Sequence, residues 1–240
     1  MSNLLYSIFS GPLPPGLKLP AGVAGQPVEV VEHQGLGAAV SELAQAGVPA
    51  DVPGLLAYGT VVEFLFRHVT VIPLRYGAMA GDRREILAVL EKHHKEYAAL
   101  LAELDGMAEM GVEVLSEGCV GEATTAANAP ACPPGAAPSG ASYLSGKKLY
   151  YRSADRMVER DNELVEEISE SVAGLFVRRK VERPSRDRLL RLYFLVPRAA
   201  VECFRRTSRQ GSRNQPVKLL LSGPWPPYNF VDGNPGGAIL

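Results

Sequence analysis

"LLRLYFLVPRAAVECFRRTSRQG", Leu189–Gly211, decides how the second half of this chain folds. Its first nine residues, through Pro197, are rich in apolar and aromatic side chains and predict a strand. The remainder predicts a short helix. Upstream, "VRRKVER" predicts another strand, joined through a Pro-Ser-Arg-Asp turn. Downstream, "VKLLLSG" predicts a last one. A long helix leads this group, with Met157, Leu164, Ile168, Val172 and Leu175 along one apolar stripe. A helix, a strand pair, a helix and a strand suit a small open sheet covered on one face by two helices. That is an α+β arrangement of ferredoxin-like type.

The first half interleaves strands and helices. "LLYSIF" and "PVEVVEH" predict strands, and "LGAAVSELAQAG", Leu36–Gly47, has helical spacing with a glycine stop. "VPGLLAYGTVVEFLFRH" predicts a helix with Leu55, Tyr58, Val62 and Leu65 on one stripe. "VTVIPLRYG" predicts a strand whose proline requires an edge or a bulge. "DRREILAVLEKHHKEYAALLAELDG" predicts one long helix, capped by Asp82 and stopped by Gly106. "MGVEVLS" predicts a further strand. Between Glu117 and Gly140 the composition turns to Ala, Gly, Pro, Thr and Ser, as in a flexible linker. The expected organisation is therefore an N-terminal mixed α+β domain over 1–116, a linker over 117–140, a C-terminal ferredoxin-like domain over 141–222 and a tail over 223–240.

The totals narrow the function. The chain has 240 residues and a formal net charge of −1, which argues against a surface wholly devoted to nucleic acid or anionic lipid. The most apolar region, Leu55–Leu74, is interrupted by Glu63, Arg67 and His68, so no membrane span is expected. "MSNLLYSIFSG" lacks the positive region of a secretory signal. Three cysteines without such a signal suggest free thiols in a reducing compartment. Cys119 and Cys132 share the linker and can pair on oxidation.

No catalytic, cofactor-binding or metal constellation emerges. Glu91 and His94 have the Glu-x-x-His spacing of a di-iron ligand pair, but no second such pair accompanies them. His93 lies on the apolar stripe and is expected to be half-buried and hydrogen-bonded. Glu163, Glu167 and Glu170 share one face of the leading helix and are expected to be its wet side. Adjacent Tyr193 and Phe194 point to opposite faces of their strand, unlike the stacked aromatics of an RNA-binding sheet. A basic cluster, Arg205, Arg206, Arg209 and Arg213, leaves a nucleic-acid-binding module as the alternative reading.

Two segments remain unexplained by core packing alone. In "SGPWPPYNFV", Pro224, Pro226 and Pro227 hold the backbone extended, while Trp225, Tyr228 and Phe230 offer large surfaces. The segment either pins the C-terminus with Trp225 in the core, which is the expectation because Trp is highly buried on average, or docks a partner. In "VIPLRYG", Pro73 and Gly77 shape a strand end beside Tyr76. Arg75 is expected to pair with a carboxylate or cap carbonyls between the domains, or else to lie on a partner surface.

"VIPLRYG" follows a helix containing "VVEFL", "SGASYLSGKK" opens the second long helix after the linker, and "KLLLSGPWPPYNFV" closes the folded part. In this order the chain resembles the gas vesicle protein GvpL/GvpF family, from "LLYSIF" to "NFV". "GPWPPY" is the most specific element and "PLRYG" the next. The resemblance implies a non-enzymatic, cytoplasmic, gas vesicle-associated accessory protein without cofactors. It implies contact with the small hydrophobic shell protein and other gas vesicle accessory proteins, and neither nucleic acid nor membrane as partner. Many relatives carry a His-Asn pair where this chain has Tyr58-Gly59, so no histidine-based role carries over.

Overall fold

The computed structural model describes residues 2–43, 47–48, 51–115, 159–183, 190–211 and 218–231. The expected linker, Cys119, Cys132, Met157, Arg213 and "SGASYLSGKK" lie outside the described residues. The fold is mixed α+β with two antiparallel sheets.

The first sheet is built on β1 (Ser2–Ser10), whose residues Leu4 to Phe9 are all buried. A strand buried on both alternating sets of side chains must be covered on both faces. β2 (Glu29–His33) and β3 (Leu36–Leu43) form a hairpin, and β3 pairs antiparallel with β1. β4 (Val71–Pro73) and the two-residue β5 (Met79–Ala80) pair with β1 on its other side, giving the order β2-β3-β1-β4. Pro73 thus sits on an edge strand, as a residue without an N–H donor requires.

The helix expected over Leu36–Gly47 is instead strand β3 from Leu36 to Leu43. Its Ala and Gly content favours helix or nothing, but tertiary contacts override it. Ala38 and Ala39 are fully buried, and a Cβ on Gly37 would fall 2.5 Å from the ring of Phe9. The overlooked signal is the two-residue turn Gln34-Gly35. Both residues have positive φ, 46° and 81°, as a tight hairpin of type I′ needs.

α1 (Val52–His68) begins where predicted, with Asp51 accepting the N–H of Gly54 at 2.8 Å and proline in the first turn. It packs on β1 and β4. At its C-terminal end the Arg198 guanidinium lies 3.9 Å over the Phe66 ring and donates to the Phe66 carbonyl. Burial lowers the pKa of this arginine.

The single long helix expected from Asp82 to Gly106 is two: α2 (Arg83–Lys92) and α3 (His94–Leu104). Asp82 caps the first as expected, 2.9 Å from the Glu85 N–H. The break is at His93, whose backbone leaves the helical region at φ −106°, ψ 17°. His93 is buried with Nδ1 2.8 Å from Glu96, and His94 Nε2 lies 3.0 Å from the Gln34 carbonyl of the hairpin turn.

The second sheet contains β6 (Met107–Leu115), β7 (Arg178–Glu182), β8 (Leu190–Pro197) and β9 (Lys218–Trp225) in the order β7-β8-β6-β9. β6 comes from the first half of the sequence and stands between two strands of the second. Helix α4 covers residues 159–171, and a short 3-10 turn leads into α5 (Val201–Gly211).

Contacts divide the chain into two compact units. One comprises Met1–Met110, Leu195–Ala199 and Gly223–Leu240; the other comprises Gly111–Phe194 and Ala200–Ser222. In the second, Phe194 of β8 meets both Phe176, just past α4, and Phe204 of α5, with ring centroids 5.0 and 5.3 Å apart. Val165, Ile168 and Val172 form the buried face of α4. Phe194 is fully buried while its neighbour Tyr193 is half-buried, in keeping with their opposite directions.

Candidate partner surface around Tyr58

Tyr58 of α1 is the point to which "VIPLRYG" is tied. It is buried, its ring stacks on Tyr6 at 5.1 Å, and Tyr76 meets it edge-on at 5.2 Å. Its hydroxyl donates to the Leu74 carbonyl at 2.8 Å and has the Tyr6 carbonyl at 3.0 Å. Burial, with help from nearby Tyr228 and Tyr6, drives its pKa far above the usual phenol range. Tyr58 therefore holds "VIPLRYG" to the central strand and lies within electrostatic reach of the C-terminal segment.

Beneath it, a buried hydrogen-bond chain fixes the neighbouring loop. The Val23 N–H donates to Tyr6 Oη (2.9 Å), Tyr6 donates to Ser41 Oγ (3.0 Å), and Ser41 donates to the Pro27 carbonyl (2.8 Å). Gly22 passes so close that an added Cβ would overlap the Tyr6 hydroxyl.

Within "VIPLRYG", Pro73 is buried in β4. Arg75 to Gly77 form a turn closed by the Ala78 N–H on the Arg75 carbonyl, with Gly77 at φ +95°, the third turn position that favours glycine. Tyr76 is half-buried, and burial together with Asp51 and Tyr6 raises its pKa. Arg75 does not pair as expected. Its side chain is exposed and makes no ion pair among the described residues, because the turn projects it to the outside.

In the C-terminal segment the expectation for Trp225 is overturned. It is the last residue of β9 and 42% exposed. The burial is carried by Pro226, Pro227 and Phe230, while Pro224 is exposed and Tyr228 is 37% exposed. Asn229 fastens the segment, donating its backbone N–H and its side-chain amide to the two oxygens of buried Glu109, at 2.8 and 2.7 Å. Partial burial, and the carboxylates of Glu63 and Glu109, raise the Tyr228 pKa above the usual range.

One stripe of α1 departs from its periodicity. The spacing puts Leu55 on the core stripe with Tyr58, Val62 and Leu65; those three are buried, but Leu55 is 52% exposed. Val52 and Leu56 are exposed too, at 67% and 66%. At 100° per residue, Val52, Leu55, Leu56, Gly59 and Glu63 share one stripe of α1. Tyr76 lies within electrostatic reach of Asp51 at the start of that stripe, and Tyr228 within reach of Glu63 at its far end. Gly59, in the middle, has open space where a Cβ would be. Missed by sequence reasoning, too, is Glu109. Its signal is a lone carboxylate among the apolar residues of "MAEMGV".

Among the described residues, no group of three His, Cys, Asp or Glu side chains is placed to hold a metal ion. Nor is any described helix long and apolar enough to cross a membrane. Cys203 is a half-buried free thiol.

A family model described as "Gas vesicle synthesis protein GvpL/GvpF" matches residues 3–232. The chain belongs to the GvpL/GvpF family. It is 28% identical to gas vesicle protein L of Streptomyces sp. (strain CB03234), over 93% of this chain and 89% of that one. Gas vesicle protein F1 of Halobacterium salinarum is 23% identical, over 88% of this chain and 84% of its own length. The crystal structure of GvpF from Anabaena sp. PCC7120 has the same fold, with a TM-score of 0.78 and 17% identity over 96% of both chains. That of GvpF from Microcystis aeruginosa gives a TM-score of 0.76 at 16% identity, over 96% of this chain and 99% of that one. The GvpL/GvpF family is concerned with gas vesicle formation.

Proposed function

We propose that this GvpL/GvpF member is a non-enzymatic accessory protein of gas vesicle assembly that works in the cytoplasm by protein contact. Its partners are the small hydrophobic shell protein, other gas vesicle accessory proteins, or both. The C-terminal part of the chain serves as a ferredoxin-like α+β layer. One observation carries the reading: α1 exposes Val52, Leu55 and Leu56 in one stripe, and Tyr76 packs edge-on against Tyr58 of the same helix.

Three large exposed aliphatic side chains on adjacent turns are unusual for a surface without a partner. The exposed aromatics and arginine of the two motifs supply the residue types that dominate interface energetics. Arg75, Trp225 and Tyr228 are the polar and aromatic members of this surface. Pro73, Pro226, Pro227 and Phe230 are buried behind it, and exposed Gly77 and Pro224 shape its turns. Gly59 leaves a bare stretch of helix on which an apolar partner segment can approach closely.

A shell protein rich in apolar surface needs that surface covered before it assembles. Co-expression with and without this chain tests the reading through the amount of shell protein left in the soluble fraction. More soluble shell protein in its presence, and none of that gain with Leu55→Ser/Leu56→Ser, is expected. An unchanged soluble fraction and no association with any accessory protein would overturn it. The nucleic-acid alternative is not favoured, because Phe194, which an RNA-binding sheet would display, is buried in the core.

A further inference from the structure

We infer that two copies of this chain associate through the arginine face of α5 in one and the carboxylate face of α4 in the other. α5 lines a shallow recess of about 270 Å³ with Glu202, Arg205, Arg206, Arg209 and Gln210. Arg205 is held by Glu202 at 2.6 Å. Arg206 and Arg209 are exposed and enter no ion pair among the described residues. On α4, Glu166 pairs with Arg179 at 2.5 Å, whereas exposed Glu163, Glu167 and Glu170 pair with nothing among the described residues.

Among the described residues the unit thus carries two faces of opposite sign that form no ion pair with each other; Arg160 is the one cation on the exposed face of α4 beside Glu163. Charge complementarity names the occupant: the carboxylate ladder that fits the α5 recess is one that every copy of the chain possesses. The spacings differ by less than the reach of an arginine side chain. Glu163 and Glu167 are spaced by about 6 Å along one helix axis, and Arg206 and Arg209 by about 4.5 Å along the other, so guanidinium forks can meet successive carboxylates. A net charge of −1 leaves no strong repulsion between whole copies. Single exposed ion pairs contribute little and are screened, so the contact depends on the whole set and on salt. It concerns different residues from those of the α1 surface and stands whether or not that assignment holds.

Sedimentation velocity of the full chain tests this at about 25 mM and roughly 500 mM salt, where screening lengths differ severalfold. Association at low salt and its loss at high salt are expected. Arg206→Glu/Arg209→Glu and Glu163→Lys/Glu167→Lys should each be monomeric under both conditions, with unchanged circular dichroism. Mixing the two variants should restore a dimer, since each supplies the face the other lacks. A chain that is monomeric at every salt concentration would overturn the inference. So would self-association that survives both reversals, or a mixture that stays monomeric. Capture of an acidic protein by α5 in a chain that never self-associates would assign the recess to another partner.

Discussion

Glu109 and Asn229, separated by 120 positions, are joined by two hydrogen bonds to a single buried carboxylate. The pair closes the C-terminal segment onto β6. Hydrogen bonds to a charged acceptor contribute about 1.5–3 kcal/mol each, and a buried acceptor stripped of them also bears its desolvation. Asn229→Ala removes the side-chain bond and is expected to cost about 2 kcal/mol in a urea titration. Asn229→Asp sets a second carboxylate against the first and should cost more than the alanine variant. Equal stability of all three chains would dismiss the clasp.

The tyrosines give a pH test. Burial, with Glu96 close by, pushes the Tyr97 phenol from its usual 10.0 up to about 12, and Tyr58 and Tyr228 shift in the same direction. Raised acid pKa values mean that the unfolded chain loses these protons first. Their contribution is complete below pH 10 and declines as pH rises from about 10 to 12. Stability in urea should therefore fall across that interval, by at most about 1.4 kcal/mol per pH unit for each such group. The Tyr97 hydroxyl is buried with no hydrogen-bond partner among the described residues, so Tyr97→Phe should be near neutral at pH 7 and flatten the alkaline decline. Tyr58→Phe strips the Leu74 carbonyl of its donor and should cost about 1–3 kcal/mol at pH 7.

Trp225→Ala separates the exposed ring seen here from a core tryptophan. A core ring would cost about 3–5 kcal/mol on truncation. With 42% of the residue exposed, the cost should stay below about 2 kcal/mol, while Phe230→Ala should reach the core range. Thermal melts of both variants rank the two directly.

Gly59 predicts a gain. Within α1 it has nothing within 4 Å of the position a Cβ would take, so no packing excludes a side chain. Gly59→Ala should stabilise the protein by about 1 kcal/mol, the usual helix-interior difference. If the exposed stripe serves a closely approaching partner, the same change weakens capture while raising the melting temperature.

Sequence periodicity located β8 and α5 well because their patterns and their burial agree, and it found the extent of α1 although Leu55 of its stripe is exposed. It failed at β3, where buried alanines and a glycine under Phe9 replace the β-branched residues that announce a strand. The helix from Asp82 to Gly106 breaks at His93 because a side-chain bond to Glu96 and a neighbouring contact to Gln34 hold a kink that no Gly or Pro marks. In the candidate surface, the two motifs were legible, but the hold of Tyr58 on "VIPLRYG" and on the central strand depends on Leu74 and Tyr6, 16 and 52 positions away. Leu55 shows the limit of a stripe argument: residues three apart on a helix can fall on either side of the boundary between core and solvent.

The measurement closest to the central claim is capture by tagged protein, with each gas vesicle protein co-expressed singly. Wild type would run beside Leu55→Ser/Leu56→Ser, Arg75→Ala and Tyr228→Ala, each verified by its melting curve. A partner surface on α1 predicts specific recovery of the shell protein or an accessory protein by wild type, and its loss in the α1 double variant at unchanged fold. Recovery that is equal in all four chains, or absent with well-folded wild type, would contradict it.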